Sequence, residues 1–364
     1  MSGNEKLRPL GGSAIKNFLA RRMLNRSHIG KNTEIDYELA NKRVPPEKGL
    51  IVGKSDMHYN DSFVFQGSDD SGNLFMTRLG FRGDGTDVDI WLWFVLDKKK
   101  YVIGSDYEKI DDAGLSSISC RGLTYEYAGE GSWRIAYKGS IGSNNEDCEV
   151  DMVYRPSTEM YCMSIHTNKD TYALSMAEMK WSREYFKKLR SEGQERIEQG
   201  GTVEGKIKVG TKEYSLSLLG FRDHSWGKRD WAMINRYIWN LFALEEPVII
   251  NDRSYTHACF TTVNYLTFNH LVSGWIAGKD SVLPIVASTD MELIGGDGKI
   301  PAEYTVRFRP HGGPILNANV KRHNHLEHGW FIQDNKYEVN EAYCSIEIDG
   351  KKGHGMSEFG YYRG

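Results

Sequence analysis

The chain has 364 residues, and its 46 lysines and arginines nearly balance 49 aspartates and glutamates. Without a net positive charge or a basic block, nucleic acid is not expected as a partner. No run approaches the roughly 20 apolar residues that span a bilayer, and the N-terminus lacks the apolar core of a signal peptide. We therefore expect no integral membrane segment and predict a cytoplasmic location. The five cysteines are scattered and form no C-x-x-C pair, which predicts reduced thiols rather than a disulfide frame or a zinc site.

The first predicted element is an amphipathic helix over residues 13–27. Apolar side chains recur at helical spacing, at Ile15, Phe18, Leu19 and Met23, and the opposite face carries three cations. A membrane-surface helix shares this pattern, but a short helix packed on its own domain is the more frequent case. The helix belongs to a predicted leader, residues 1–46.

Residues 47–176 are predicted to form an antiparallel β domain, because short apolar runs alternate with clusters of turn residues. The charged stretch 177–199 is predicted to be helical, within a linker of residues 177–201. The strand pattern resumes at 202 and continues to 364, which predicts a second β domain. The fold prediction is therefore all-β, with two antiparallel barrel domains, an N-terminal helix and a helical linker, and two domains suit this length.

A faint internal repeat joins the two halves. The tetrapeptide LGFR occurs at residues 79–82 and again at 219–222. Ile90 follows the first copy by eight residues, and Ile238 follows the second by sixteen. The difference is close to the length of DHSWGKRD. The comparison predicts two related β units, the second of which carries this polar segment as an insert.

The segment GFRDHSWGKRDW, residues 220–231, is the candidate site. It concentrates three cations, two carboxylates, one imidazole and two indoles, and it follows the alternating strand pattern of residues 214–219. Period-two geometry places Arg222 and His224 on one face and Asp223 on the other, which excludes a catalytic triad built from neighbours. Two interpretations remain, a salt-bridged clasp and a catalytic acid walled by tryptophan.

The partner of Asp223 separates these interpretations. Proton transfer to an alkene needs a protonated carboxyl, which burial against Trp226 favours and a neighbouring arginine opposes. If Arg222 or Arg229 pairs with Asp223, the motif is a clasp. If Arg222 pairs with Asp230 instead, Asp223 can act as the acid.

Other candidates lie further along the chain. His323 and His325 share a strand face, as a metal site requires, but Glu327 follows the second histidine by two residues rather than four or five. We therefore predict no metal and no cofactor. Glu358 is a further candidate acid or base. The aromatic residues that can wall a pocket and stabilise a cation through their ring faces are Trp226, Trp231, Tyr237, Trp239, Phe260 and Tyr265.

The segment from Glu198 through Val203-Glu-Gly205 into GFRDHSWGKRDW, with the late Gly353-His-Gly355 and Glu358, resembles a known superfamily. Its members are the two-domain lipocalin-like AttH and carotenoid 1,2-hydratase (hydroxyneurosporene synthase) proteins, and the closer similarity is to a branch with an RDHSWG-x-RDW signature. The resemblance implies two lipocalin-like barrels with an apolar ligand in a barrel or at their junction. Hydratases of this kind protonate an alkene and let water trap the cation, and some relatives cyclise polyenes.

Carrying that role over makes Asp223 the candidate acid, with His224 and Asp230 as its neighbours. The predicted function is binding of a terpenoid, steroid or polyene, with acid-assisted hydration, isomerisation or cyclisation and no redox chemistry. Arg222 and the aromatic residues are predicted to contact this ligand. A non-catalytic lipid carrier and a metal-dependent oxygenase are the alternatives, and a homodimer is left open.

Overall fold

The computed structural model describes residues 13–25, 59–83, 87–109, 112–113, 117–191, 193–332 and 336–364. It divides into two compact units, each assembled from separate stretches of chain. The sheet unit comprises Thr33–Met160 and Gln194–Arg229, and the barrel unit comprises Met1–Asn32, Tyr161–Gly193 and Asp230–Gly364. The strands after residue 193 pair with the strands of the sheet unit, and the domain boundaries at 176 and 201 remain a prediction from the sequence.

Among the described residues, the helices α1 (Ala14–Leu24), α2 (Met163–His166), α3 (Lys169–Glu178) and α4 (Arg183–Ser191) lie in the barrel unit. The helix predicted at residues 13–27 is α1, but its predicted apolar face is not the buried one. Ala20 and Leu24 are buried, whereas Ile15 and Phe18 are mostly exposed.

The strands are β1 (Tyr59–Ser68), β2 (Leu74–Arg82), β3 (Asp87–Leu96), β4 (Lys99–Lys109), β5 (Asp112–Ala113), β6 (Ser117–Cys120), β7 (Leu123–Gly129), β8 (Ser132–Ile141), β9 (Glu146–Pro156), β10 (Tyr161–Cys162), β11 (Gly193–Val209), β12 (Lys212–Lys228), β13 (Ile234–Ile250), β14 (Arg253–Tyr265), β15 (Leu271–Gly278), β16 (Ser281–Ser288), β17 (Glu303–Pro310), β18 (Leu316–Ile332), β19 (Tyr337–Ile348) and β20 (Lys351–Tyr362). The single helix predicted over residues 177–199 is wrong. That stretch contains the end of α3, then α4, then the start of β11, in which Ile197 is buried.

The sheet unit is one sheet with the strand order β4-β3-β2-β1-β12-β11-β9-β8-β7-β6-β5. The sheet curves round a core of its own side chains. Phe65 of β1 lies against Tyr125 of β7 and Tyr154 of β9, with ring centroids 5.0 and 5.7 Å apart. Because these strands are far apart in the sheet order, such contacts require a barrel-like curvature.

Both copies of LGFR lie in this one sheet, on either side of β1. Asn60 of β1 pairs with Arg82 of β2, and Phe65 pairs with Arg222 of β12. The pairing of β1 with β12 runs without interruption from Tyr59 with Lys228 to Ser68 with Leu219. The predicted polar insert is therefore wrong, since residues 223–228 continue a strand whose backbone groups are paired.

The barrel unit contains a closed barrel in which β13 to β20 pair in chain order and β20 pairs with β13. Its core is apolar and includes Ile238, Phe242, Phe308 and Phe359. The prediction of an all-β chain with two antiparallel, barrel-like units is confirmed. Among the described residues, no helix has the length and hydropathy needed to cross a membrane.

Candidate functional site

Strand β12 presents the residues of the motif on two faces. Its register with β1 places His224 opposite Phe63 and Arg222 opposite Phe65, and both phenylalanines belong to the core of the sheet unit. Directly paired residues share a face of the sheet, so His224 and Arg222 point into this core. Asp223 points to the opposite face, as the period-two pattern predicts.

His224 forms a buried dyad with Asp61 of β1. The Nε2 atom of His224 lies 2.7 Å from Oδ1 of Asp61, and the two side chains are only 3% and 2% exposed. The imidazole stacks on Phe63, with ring centroids 3.9 Å apart and an angle of 13° between the planes. Trp226 lies beside it, at 4.7 Å. An imidazole and a carboxylate are thus enclosed by aromatic rings.

Each member of the dyad has one atom without a hydrogen-bond partner in the described part of the chain, Nδ1 of His224 and Oδ2 of Asp61. When Asp61 is ionised, Nε2–H of His224 donates to it, and Nδ1 is a lone pair on the neutral ring or an N–H on the cation. Tyr59 remains a neutral phenol, because burial raises its pKa to about 12 and the charge of Asp61 adds to the effect. The dyad can therefore exchange a proton through Nδ1 of His224.

The dyad lies near one end of the sheet. Strand β1 begins at Tyr59, two residues before Asp61, and β12 ends at Lys228, four residues after His224. Trp226, between His224 and that end, is only half-buried.

Asp223 pairs with Arg196, an arginine outside the motif. Nε of Arg196, on β11, lies 3.1 Å from Oδ2 of Asp223, and the two side chains are 23% and 5% exposed. Arg196 also pairs with Glu198, at 3.4 Å. Arg196 thus links Asp223 to the adjacent strand β11, which is the arrangement that the clasp interpretation requires.

The two arginines considered as partners of Asp223 make other contacts. Arg222 donates from Nε to the side-chain oxygen of Gln199, at 3.2 Å. Arg229 donates to the hydroxyl of Ser225, at 3.0 Å, and Ser225 in turn lies 3.1 Å from the hydroxyl of Ser62 on β1. These contacts join neighbouring strands.

The remaining candidates belong to the barrel unit. Asp230 accepts the N–H of Ala232 at 3.0 Å, so it caps the short 3₁₀ turn Trp231–Met233. The Trp231 ring packs on Tyr337, with centroids 4.9 Å apart, and on Tyr237 at 6.3 Å.

Glu358 lies in a buried group of polar and aromatic side chains. Tyr237 donates its hydroxyl hydrogen to Glu358, and Glu341 is the direct cross-strand neighbour of Glu358. Trp330 donates to Glu341 at 2.8 Å. The pKa of Tyr237 lies well above its usual value because of burial first and the charge of Glu358 second, so Tyr237 stays a neutral donor. Glu358, Tyr237 and Trp231 are thus brought together.

The other predicted aromatic contacts are dispersed in the same unit. Trp239 donates to the thiol of Cys259 at 3.1 Å. Phe260 belongs to the barrel core, and Tyr265 is half-buried.

The histidine segment on β18 makes ordinary strand contacts. His323 lies 2.8 Å from the hydroxyl of Ser345, and its pKa is lowered by burial and by the neighbouring His325. Within the described ranges, no group of three or more histidine, cysteine, aspartate or glutamate side chains is arranged to hold a metal ion.

Sequence reasoning missed Asp61 and Arg196. A signal for Asp61 existed, because an aspartate directly precedes the apolar run Ser62-Phe-Val-Phe65, where a buried strand is expected. Arg196 lies in the charged stretch that was assigned to a helix.

Comparison with known proteins gives a family and a fold. The model of the family DUF7064, a domain of unknown function, matches residues 52–361. The fold is similar to that of an AttH candidate from Nitrosomonas europaea, with a TM-score of 0.54, 10% identity, and coverage of 92% of this chain and 98% of that one.

It is also similar to CghA, for which the TM-score is 0.51, the identity 11%, and the coverage 93% of this chain and 97% of that one. For CghA crystallised with Sch210972, the TM-score is 0.50, the identity 11%, and the coverage 89% and 95%. No curated protein matches the sequence.

Proposed function

The chain belongs to the DUF7064 family, and we propose that it is an enzyme that moves protons on a bound apolar small molecule. His224 is the group that gives and takes the proton, and Asp61 is the group that orients it. The reaction class is hydration, isomerisation or cyclisation of a terpenoid, steroid or polyene, without redox chemistry.

The observation that carries this proposal is the buried dyad with its unpartnered atoms. A polar atom buried without a hydrogen bond costs free energy, and in folded proteins such atoms need an explanation. A bound molecule that hydrogen-bonds to Nδ1 of His224 would explain why this atom has no partner within the protein. Asp223 is a weaker candidate, because Arg196 holds it as an ion pair.

The chemistry follows from the two protonation states of the imidazole. In an isomerisation, Nδ1 of neutral His224 takes a proton from an allylic carbon and returns it to another carbon of the same system. In a hydration or cyclisation, the imidazolium protonates the alkene, water or a second alkene traps the cation, and the imidazole takes a proton back. The Asp61 carboxylate stabilises the imidazolium, and the faces of Phe63 and Trp226 stabilise a carbocation.

The fold supports a small-molecule role. CghA, which shares the fold at 11% identity, has been crystallised with the small molecule Sch210972. The aromatic rings beside His224 suit a largely apolar ligand.

The test is deuterium incorporation. The purified chain is incubated in D₂O with three probes, a Δ5-3-ketosteroid, a linear polyene and a cyclic terpenoid, and each probe is examined by mass spectrometry. We expect deuterium at carbon in at least one probe with the wild type. His224→Gln keeps an N–H for Asp61 but has no titratable ring, so its rate should fall by about 10² to 10⁴.

His257→Gln is the matched control, because His257 is also buried, at 2% exposure, but lies in the barrel unit. It should retain the wild-type rate. Equal incorporation by wild type and His224→Gln would make the dyad structural. Binding of the probes without any exchange by the wild type would establish a carrier instead.

A further inference from the structure

The interior of the closed barrel contains two buried arginines that the proposed function does not use. Arg322 on β18 lies two residues after the core residue Val320 and therefore on the same face of the strand. Its side chain is 1% exposed. Arg236 on β13 lies two residues before the core residue Ile238 and therefore on the same face of the strand. Its side chain is 5% exposed. Alternation along a strand puts both guanidinium groups inside the barrel.

Arg322 is incompletely satisfied. It donates from Nη2 to the side-chain oxygen of Asn340 at 2.6 Å and lies over the ring of Phe359 at 5.2 Å. Its Nε has no hydrogen-bond partner among the described residues. The carboxylate of Glu327 is 4.0 Å away and 40% exposed. Burial lowers the pKa of Arg322, and the nearby Glu327 carboxylate is among the groups that oppose this shift.

Arg236 is in a similar position. One Nη donates to the carbonyl of Ile294, while Nε and the other Nη have no hydrogen-bond partner in the described ranges. Glu292 lies 3.7 Å from that second Nη, beyond hydrogen-bond range, and is 47% exposed. The guanidinium lies over Tyr361 at 5.4 Å.

A pair of stacked rings connects the two arginines. Phe359 under Arg322 and Tyr361 under Arg236 are nearly parallel, at 12°, with centroids 6.4 Å apart. Burial raises the pKa of Tyr361, and the charges of both Arg236 and Arg322 oppose that rise. The two cations therefore act on one region of the barrel.

Two further polar groups in the barrel interior lack partners. Nδ2 of Asn240, a donor, and the hydroxyl of Thr262 have no partner among the described residues. Asn240 follows Ile238 on the same face of β13, and Thr262 is paired with Ile238. Tyr304 donates to the oxygen of Asn240 at 2.6 Å, which leaves the amide N–H groups available. The unsatisfied atoms here are mainly hydrogen-bond donors.

We propose that the closed barrel binds a carboxylate at the guanidinium groups of Arg322 and Arg236. A carboxylate accepts several N–H donors at once and neutralises the buried positive charge. The surrounding core, which includes Phe260, Val306 and Phe308, is apolar and suits the tail of an apolar acid. This site lies in the barrel unit and does not depend on the His224 dyad.

The experiment is isothermal titration calorimetry of the full chain with oleate, with oleyl alcohol, which has the same tail without the carboxylate, and with acetate. Oleate should bind about 10-fold or more tightly than oleyl alcohol, because charge-assisted hydrogen bonds are lost in the alcohol. Acetate binding with no oleate binding would identify a small free acid as the source of the carboxylate.

Arg322→Met and Arg236→Met should each weaken binding of the acid by about 10-fold or more. Removing a poorly compensated buried charge should not lower the melting temperature. Arg134→Met, at an arginine that is 49% exposed in the sheet unit, is the matched control and should bind normally.

Three results would overturn the proposal: no binding of oleate or acetate, equal affinity for oleate and oleyl alcohol, or wild-type affinity in both methionine variants. The comparison of oleate with its alcohol uses the wild type, so it decides even if a variant does not fold.

Discussion

Asp223 and His224 are neighbours in the chain, and both are buried. Asp223 has a basic partner and His224 an acidic one, yet the surroundings of the two pairs differ. Asp223 faces Arg196, a cation that is always charged. The side chain of Arg196 is 23% exposed and that of Asp223 is 5% exposed. His224 faces Asp61 among aromatic rings, with Nε2 of the imidazole 2.7 Å from the carboxylate and the ring stacked on Phe63.

The difference shows how alternation along one strand places two buried pairs on opposite faces of the sheet. A carboxylate beside a guanidinium is fixed in its charge, so it suits a structural link between β11 and β12. An imidazole beside a carboxylate keeps one nitrogen available for proton exchange. The motif read from the sequence as one site is thus two pairs on opposite faces.

Removing the charge of each carboxylate in turn and measuring turnover tests whether the two pairs have different roles. Asp61→Asn should lower the rate of deuterium incorporation by about 10² to 10⁴, because the imidazolium loses its stabilising charge and the tautomer is no longer fixed. Asp223→Asn should leave the rate within about 3-fold of wild type, well below the loss expected for general acid catalysis. Equal losses in both variants would contradict the separation of tasks.

Stability should respond in the opposite order. Asp223→Asn leaves Arg196 beside an amide and should lower the free energy of unfolding by about 2 to 4 kcal/mol, below the largest values for buried pairs because Arg196 is partly exposed. The matched control is Asp151→Asn, which breaks an ion pair with Arg134 at 2.8 Å in which Asp151 is 60% exposed.

Asp151→Asn should lower the free energy of unfolding by less than about 1 kcal/mol. Urea unfolding followed by fluorescence measures both changes. A loss at Asp223 no larger than that at Asp151 would show that Asp223 is not a clasp.

His166 is a buried histidine whose hydrogen-bond partner is a backbone N–H rather than a carboxylate, so it can be compared with His224. His166 of α2 accepts the backbone N–H of Cys162 through Nδ1 at 2.9 Å, and burial lowers its pKa to about 4. In the unfolded chain its pKa is about 6.5. The unfolded state therefore binds more protons between these values, and stability falls as the pH falls from about 6.5 towards 4.

The expected slope from this residue is at most about 1.4 kcal/mol per pH unit. Urea unfolding at several pH values, with His166→Gln as the comparison, measures it. An unchanged slope in the variant would assign the pH dependence to other groups.

The sequence predicted the local geometry of the motif but not its partners. Alternation along β12 follows from the residue pattern, so the opposite faces of His224 and Asp223 were predictable. The partner Asp61 is 163 residues away and depends on the register of β1 with β12, which no local pattern determines. Arg196 was hidden by a charged stretch whose composition suits a helix, although tertiary pairing makes it a strand.

The fold class was predictable for a similar reason, and the strand partners were not. Short apolar runs between turn residues indicate an antiparallel β protein wherever they occur. The repeat LGFR suggested two units, yet both copies flank one strand, β1. The sequence allowed Asp230 as a partner of Arg222, but the carboxylate of Asp230 accepts the backbone N–H of Ala232 in the turn that it caps.

The pairing of β1 with β12 has a consequence for protein synthesis. Tyr59 leaves the ribosome 169 residues before its partner Lys228 (228 minus 59). At about 5 to 20 residues per second, the β12-facing edge of β1 waits on the order of 10 to 30 s for its neighbour. An open strand edge promotes association between chains, so during this interval the nascent polypeptide is exposed to pairing with other chains. A fragment that stops before residue 219 would never leave that state.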